Sequence, residues 1–217
     1  MKLNLTLISL IALSSIFLNM SAFAADHPGY IEAPERRTTG IGKFYMGREI
    51  SFVMGHRAAG WLNRPERIQE EMPDDVVENM RLEPNHVVAD IGAGSGYFSF
   101  RIASRVPSGK VFSVDIQPEM LQLIEGQKRE LNVDNIESVL GTIDDPNLEP
   151  GSIDAAIMVD AYHEFSHPFE MINGIDHCAV AVGDLFGRPF RMAVDGPFVR
   201  CCVFAVRCAL YASSNVH

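Results

Sequence analysis

Cysteine is absent from most of this 217-residue chain and occurs only near its C-terminus. The four cysteines are Cys178, Cys201, Cys202 and Cys208. None of their spacings forms a C-x-x-C pair, which excludes a thiol redox motif and a zinc ribbon. The even count is compatible with disulfides if the chain resides in an oxidising compartment, and the spacing leaves their pairing open.

Basic residues are scarce as well. The chain has 18 Lys and Arg against 28 Asp and Glu, for a formal net charge of −10. Proteins that bind nucleic-acid backbones need basic patches, so this balance argues against such a partner. It is compatible with a cationic small molecule. No internal repeat or low-complexity tract is visible.

The N-terminus carries a long apolar run. One Lys precedes the stretch from Leu3 to Met20, which is followed by Ala22-Phe23-Ala24, a small-x-small cleavage pattern. We predict a signal peptide over residues 1–24 and a periplasmic or secreted protein. An uncleaved membrane anchor is the alternative, since the run approaches spanning length. Several Ser and Asn residues dilute the run and favour cleavage before Ala25.

Residues 25–85 are predicted to form an N-terminal arm and a helical cap. Residues 25–43 are rich in Pro, Gly and charge, which is typical of an extended arm. The segment from Phe44 to Glu71 is predicted to be helical in pieces. Pro65 and Pro73 are well placed to begin helices, because proline is favoured at the first helical position.

Strand and helix patterns alternate from residue 86 onward, which predicts an α/β domain over residues 86–172. The predicted strands are His86–Ile91, Val111–Asp115, Ile136–Leu140 and Ile153–Val159. The predicted helices are Tyr97–Ser104 and Pro118–Leu131. Such alternation implies a doubly wound, mostly parallel sheet, and ligands of these sheets bind at the carboxyl ends of the strands.

A glycine cluster follows the first of these strands. The stretch reads Asp90-Ile91-Gly92-Ala93-Gly94-Ser95-Gly96 and lies between a strand and a helix. Glycine permits close approach of a ligand to the backbone. Asp115 ends the next strand, where a carboxylate can accept hydrogen bonds from both hydroxyls of a ribose.

Two classes of nucleotide ligand compete for this loop. Dinucleotide-binding enzymes use G-x-G-x-x-G. This chain has G-x-G-x-G, with an Asp two residues before the first Gly. The spacing disfavours an NAD(P)-dependent Rossmann oxidoreductase, which remains the alternative.

With these motifs, residues 44–172 resemble the class I S-adenosylmethionine-dependent methyltransferases. The shared signature is a strand ending in D/E-x-G-x-G-x-G and an acidic residue that closes the second strand. The stretch FYMGREISFVMGHRAAGWLNRPER resembles the N-terminal helical cap of signal-bearing bacterial members. The resemblance implies a Rossmann-like fold, S-adenosylmethionine as cofactor and a small-molecule methyl acceptor.

The resemblance also implies which residues bind the cofactor. The three glycines would hold its methionine part, Asp115 its ribose, and Ile116 would pack on its adenine. The loop at residues 142–145 would bracket the adenine. The full cofactor-binding set is Asp90, Gly92, Gly94, Gly96, Asp115, Ile116, Ile143, Asp144 and Asp160.

Three residues are candidates for catalysis. Asp160, which follows the fourth strand, matches the position beside the reactive sulfonium. His163 is the first candidate for a base that removes a proton from the acceptor, with Tyr162 and Glu164 orienting that acceptor. The alternative is that Tyr162 and His163 only shape the pocket wall.

The stretch His163-Glu164-Phe165-Ser166-His167 has the H-E-x-x-H pattern of zinc proteases. In those proteins both His lie on one helix. Here the pattern starts just after a strand, and Pro168 disfavours helical backbone at His167. A third ligand at the usual spacing is missing, so we expect no metal site.

The composition changes at Asn173. The tail over residues 173–217 holds every Cys and has no Lys, Glu or Gln. This change suggests a sequence that was not selected with the rest, such as out-of-frame translation or a fusion. We therefore expect an atypical tail, not a native methyltransferase ending, in place of the usual last strands, and a catalytically defunct product is a further alternative. The apolar strand Ile153–Val159 would then be an exposed edge. A divergent ending, in which Val180–Val182 and Val199–Tyr211 supply replacement elements, is the other possibility.

Overall fold

The computed structural model describes residues 29–33 and 39–179, and the backbone of residues 192–193 and 203–207. Its strands are β1 (Tyr30–Glu32), β2 (Gly40–Tyr45), β3 (Arg48–Ser51), β4 (Val87–Ile91), β5 (Lys110–Asp115), β6 (Ile136–Leu140), β7 (Ala155–Val159), β8 (Met192–Ala193) and β9 (Val203–Arg207). Its α-helices are α1 (Ala59–Leu62), α2 (Arg67–Glu71), α3 (Pro73–Asn79), α4 (Ser99–Arg105), α5 (Pro118–Leu131) and α6 (Pro168–Cys178). Short 3₁₀ turns span His56–Ala58 and Tyr162–Glu164.

The N-terminal part contains a three-stranded antiparallel sheet in the order β1-β2-β3. The prediction that helices begin at Phe44 is therefore wrong, and the helical cap is confined to α1, α2 and α3. Tyr45 pairs with Arg48, so Met46 and Gly47 form a two-residue hairpin loop. Both have positive φ, 49° and 78°, as the favoured hairpin turns require. Proline does begin α3, as predicted for Pro73.

The central sheet has six strands in the order β6-β5-β4-β7-β9-β8. The first four are parallel to one another. Successive side chains of a strand face opposite sides, and two cores result. Ile157 packs with Ile102 of α4 and Ile124 of α5, whereas Met158 packs with Ile175 of α6. The doubly wound α/β fold is confirmed.

The outer edge of β7 is covered. All five of its residues pair with β9 in antiparallel register, from Ala155 with Arg207 to Val159 with Val203. The prediction that this strand is an exposed edge is therefore wrong, and Val199–Tyr211 supplies a replacement strand. Among the described residues, no parallel strand pairs with this outer edge of β7, whose inner neighbour β4 is parallel to it.

Helix α6 crosses the point where the composition changes. It runs through Asn173 to Cys178, and Met171, Ile175 and Cys178 are all buried. Their spacing of four and three residues is that of one helix face. The thiol of Cys178 is free and donates to the carbonyl of Leu148 at 3.1 Å. The predicted domain boundary at residue 172 thus falls inside a helix.

Several predictions concern segments outside the described residues. They include the signal peptide over residues 1–24 and the pairing of Cys201, Cys202 and Cys208. Within the described part, no helix has the length and hydropathy needed to cross a membrane.

Candidate functional site

The glycine loop leaves β4 at the carboxyl edge of the parallel sheet. Gly92, Gly94 and Gly96 all have positive φ, at 75°, 55° and 81°. A Cβ on Gly92 would lie 2.4 Å from Cβ of Ala161, and one on Gly94 would lie 2.7 Å from Leu62. Side chains are therefore disfavoured by backbone conformation and by space, and Gly92 and Gly94 present bare backbone to the cleft. Gly96 does not line the cleft, because it lies against Phe100 and Ile124.

Asp115, at the end of β5, is fixed by backbone donors. The N–H of Gly94 donates to its Oδ2, and that of Gln117 donates to its Oδ1, both at 2.9 Å. Only 7% of the residue is exposed, and burial raises its pKa. The backbone N–H of Ile116 also interacts with this carboxylate, whose two oxygens together keep acceptor capacity for a ligand hydroxyl.

Asp90 lies behind the loop. It is 3% exposed and does not line the cleft. The hydroxyl of Ser99 donates to its Oδ2 at 2.6 Å, and Ser113 lies 2.7 Å from Ser99. Burial raises the pKa of Asp90 to about 6, although the Ser99 hydrogen bond opposes this. This network ties β4 and β5 to the first turn of α4. Asp90 therefore supports the glycine loop from behind and does not line the cleft.

A cleft with about 750 Å³ of empty space, part of it open to solvent, runs along this edge of the sheet. Five of the predicted cofactor-binding residues line it: Gly92, Gly94, Asp115, Ile116 and Ile143. Ile116 and Ile143 are 37% and 51% exposed, which leaves both side chains free to pack on a flat apolar ligand. Asp144 is not among the lining residues and instead accepts a hydrogen bond from Thr142 at 2.7 Å.

An extended segment around Met54 crosses the cleft, and we name residues 53–55 the strap. The carbonyl of Met54 accepts from Nε2 of Gln117 at 2.9 Å, beside the end of β5. The N–H of Met54 donates to Oε2 of Glu164 at 3.0 Å, beyond the end of β7. The backbone N–H of His56 donates to Oε1 of Gln117 at 2.9 Å. The strap thus joins the β5 side of the cleft to the β7 side.

The turn after β7 decides which predicted catalytic groups reach the cleft. Asp160 takes a positive φ of 54°, and Ala161 then packs against Gly92. In the 3₁₀ turn that follows, Glu164 lies three residues after Ala161 and therefore on the same side. Glu164 lines the cleft, whereas Asp160, Tyr162 and His163 are not among the lining residues.

Glu164 and its neighbour His163 are both ionisable, and burial shifts the pKa of each. Burial, together with the nearby charges of Asp115 and Asp160, raises the pKa of Glu164 to about 7, although the hydrogen bond from Met54 opposes this. Nε2 of His163 lies 3.7 Å from Oε1 of Glu164. Burial lowers the pKa of His163, which disfavours its charged form. Tyr162 stacks edge-on against Phe165 at 6.0 Å between ring centroids.

The H-E-x-x-H residues do not share a helix. His163 lies in the 3₁₀ turn, Phe165 is extended, and His167 is the cap before α6, with φ −133° and ψ 62°. The two imidazoles therefore lack the one-turn spacing that a zinc-protease helix provides. No group of three or more potential ligands converges within the described residues.

The sequence of this region matches a known family model. Residues 88–180 match the model described as "Methyltransferase domain". The match covers β4 to β7, the glycine loop and α6. Over these residues, the predicted resemblance to a methyltransferase domain is confirmed.

The chain is also similar to curated proteins and to a solved structure. The chain is 28% identical over 138 residues to a release factor glutamine methyltransferase from Koribacter versatilis, covering 55% of this chain and 49% of that protein. It is 39% identical over 71 residues to the AMB antimetabolite synthetase AmbE from Pseudomonas aeruginosa, covering 31% of this chain and 3% of that protein. The chain thus spans half or less of these relatives. A SAM-dependent methyltransferase from Aquifex aeolicus shares the fold, with a TM-score of 0.62 at 19% identity over 71% of this chain and 97% of that one.

Proposed function

We propose that the protein transfers a methyl group from S-adenosylmethionine to a small-molecule acceptor. The observation that carries this proposal is the joint placement of the bare glycine loop and Asp115 in one cleft. The loop belongs to a segment that matches a methyltransferase domain. A strand-ending acid and a backbone cradle at the carboxyl edge suit a nucleoside ligand.

Different cleft residues contact different parts of such a ligand. Asp115 accepts from the ribose hydroxyls. Ile116 and Ile143 pack on the adenine, since both are exposed at the cleft. Gly92 and Gly94 leave room for the methionine part, which places the methyl end toward Ala161 and the turn after β7. Asp90 acts from behind the loop, through Ser99.

The cofactor supplies a methyl group on a sulfonium, which already carries a good leaving group. The protein then has to align the acceptor, exclude water and remove one proton from the acceptor. The strap, with Met54 held at both sides of the cleft, excludes water from the bound ligand. Opening of the strap is then part of ligand entry.

Calorimetric titration with S-adenosylhomocysteine and, separately, with NAD tests this function. We expect saturable binding of S-adenosylhomocysteine and none of NAD. Binding of NAD alone would favour the dinucleotide-dependent oxidoreductase instead. A chain that binds neither would contradict both activities.

We further propose that residues 1–24 direct the protein out of the cytosol. The apolar run and the Ala22-Phe23-Ala24 pattern support this. Expression in a bacterial host, followed by N-terminal sequencing of the periplasmic fraction, checks it. We expect a chain that begins at Ala25. A chain recovered only in the cytosol with its first residues intact would contradict the proposal.

A further inference from the structure

The charges that line the cleft are of one sign. Among its described lining residues, the charged side chains are Asp115 and Glu164, and no Lys, Arg or His is present. The rest of the wall near Glu164 is largely apolar, with Met54, Phe165 and Met171. A carboxylate or phosphate acceptor would find no counter-charge here and would lose its hydration.

Glu164 is placed at the methyl end of the cleft. It follows Ala161 by three residues in a 3₁₀ turn, and Ala161 packs on Gly92. One of its oxygens, Oε2, is occupied by the N–H of Met54 at 3.0 Å. Its side chain keeps 21% exposure, so the carboxylate is held by the strap without being closed off.

We propose that Glu164 is the acid–base group of the acceptor site and that the acceptor is an amine with an apolar body. This inference rests on the proposed function. The ammonium of the acceptor pairs with the Glu164 carboxylate and gives it one proton. The freed nitrogen lone pair bonds to the methyl carbon while the carbon–sulfur bond breaks, and that electron pair stays on sulfur. The products are S-adenosylhomocysteine and the protonated, methylated amine.

The ionisation of Glu164 fits this role. With a pKa of about 7, the group accepts a proton near neutral pH and releases it again. The ionisable groups that face it are Asp115, Asp160 and His163. The two Asp disfavour its charged form, and an incoming ammonium relieves that repulsion. His163, the earlier candidate for the base, lies beside Glu164 rather than on the cleft wall.

Sinefungin provides a direct test, because it is an analogue of the cofactor with an amine where the methyl group stands. Its affinity is compared with that of S-adenosylhomocysteine by calorimetry, in the wild type and in Glu164→Gln. The amide keeps an oxygen for the N–H of Met54, so the strap stays anchored. We expect sinefungin to bind about 10- to 100-fold more weakly in the variant, on the scale of a charged hydrogen bond, and S-adenosylhomocysteine to change by less than about twofold.

Two comparisons sharpen the result. Glu78→Gln removes the same charge from an exposed position of α3 and should leave both affinities unchanged. In the wild type, the preference for sinefungin should rise from about pH 6.5 to about pH 8 as Glu164 ionises, and Glu164→Gln should abolish that rise.

Equal losses of affinity for both ligands in Glu164→Gln, or no loss for sinefungin, would overturn the role of Glu164. Failure of the wild type to bind S-adenosylhomocysteine would instead overturn the proposed function itself.

Discussion

The backbone N–H of Gly94 donates to Oδ2 of Asp115 across 2.9 Å, so the glycine loop and the acid that ends β5 are held together. The second oxygen of Asp115 is fixed by Gln117, which in turn holds Met54 of the strap. One carboxylate therefore holds the glycine loop and, through Gln117, the strap.

Replacement of Asp115 by Ala should weaken the binding of S-adenosylhomocysteine by about 1.5–3 kcal/mol, the scale of hydrogen bonds to a charged group. Calorimetry measures this loss. Asp134→Ala removes an acid from an exposed turn after α5 and serves as the control. Unchanged affinity in Asp115→Ala would remove the ribose assignment.

Replacement of Gly92 by Ala should abolish or severely weaken cofactor binding. The φ of 75° disfavours any side chain, and the new Cβ would lie 2.4 Å from that of Ala161. Adding Ala161→Gly removes the collision but not the backbone strain, so only part of the affinity should return. Gly126→Ala, in α5 with nothing within 4 Å, is the matched control and should be neutral or slightly stabilising. Normal binding by Gly92→Ala would contradict the loop geometry.

Asp90 should make stability depend on pH. Its pKa rises from 3.8 to about 6 on folding. Compared with the unfolded state, the folded state favours the protonated form, so the contribution of Asp90 to stability is fully present below pH 3.8 and is lost as the pH rises through about 6. We expect Asp90→Asn to be less destabilising at about pH 7.5 than at about pH 5, by about 1–2 kcal/mol. Urea unfolding at both pH values measures the difference, and an equal effect at both would contradict the burial of an ionisable Asp90.

The buried ion pair between Arg67 and Glu71 in α2 should contribute more to stability than an exposed pair does. Arg67 is 3% exposed and Glu71 is fully buried, with Nε of Arg67 2.6 Å from both carboxylate oxygens. Glu71→Ala leaves a buried charge without its partner and should cost about 3–5 kcal/mol of unfolding free energy. Arg64 and Glu70 form a more exposed pair, so Glu70→Ala should cost at most about 1 kcal/mol. Similar costs for the two variants would contradict this ranking.

The sequence predicted the parallel core well because strong local signals agree there. Helix α5 has the predicted bounds, Pro118–Leu131, since proline begins it and Asn132 ends it with a φ of 54°. The hairpin at Met46-Gly47 was missed, because a Met with positive φ is uncommon and carries no turn signal.

The choice between His163 and Glu164 also lay beyond the sequence. The two are adjacent, and both residue types can act as bases. Which one faces the cleft depends on the positive φ of Asp160 and on the packing of Ala161 against Gly92. Those are tertiary features that no local pattern encodes.

The covering of β7 by β9 bears on the hypothesis that the tail is not a native methyltransferase ending. Residues 205 and 206 pair with β7 on one side and with β8 on the other. A proline in such a central strand removes a ladder hydrogen bond. If this strand stabilises the fold, Ala205→Pro should lower the melting temperature and promote aggregation, since the apolar edge of β7 becomes free. Light scattering and thermal unfolding measure both effects. An unchanged melting temperature would mean that β9 adds no stability, and the coding DNA near codon 173 should then be checked for a shifted frame that encodes a Gly-Gly turn and an apolar strand.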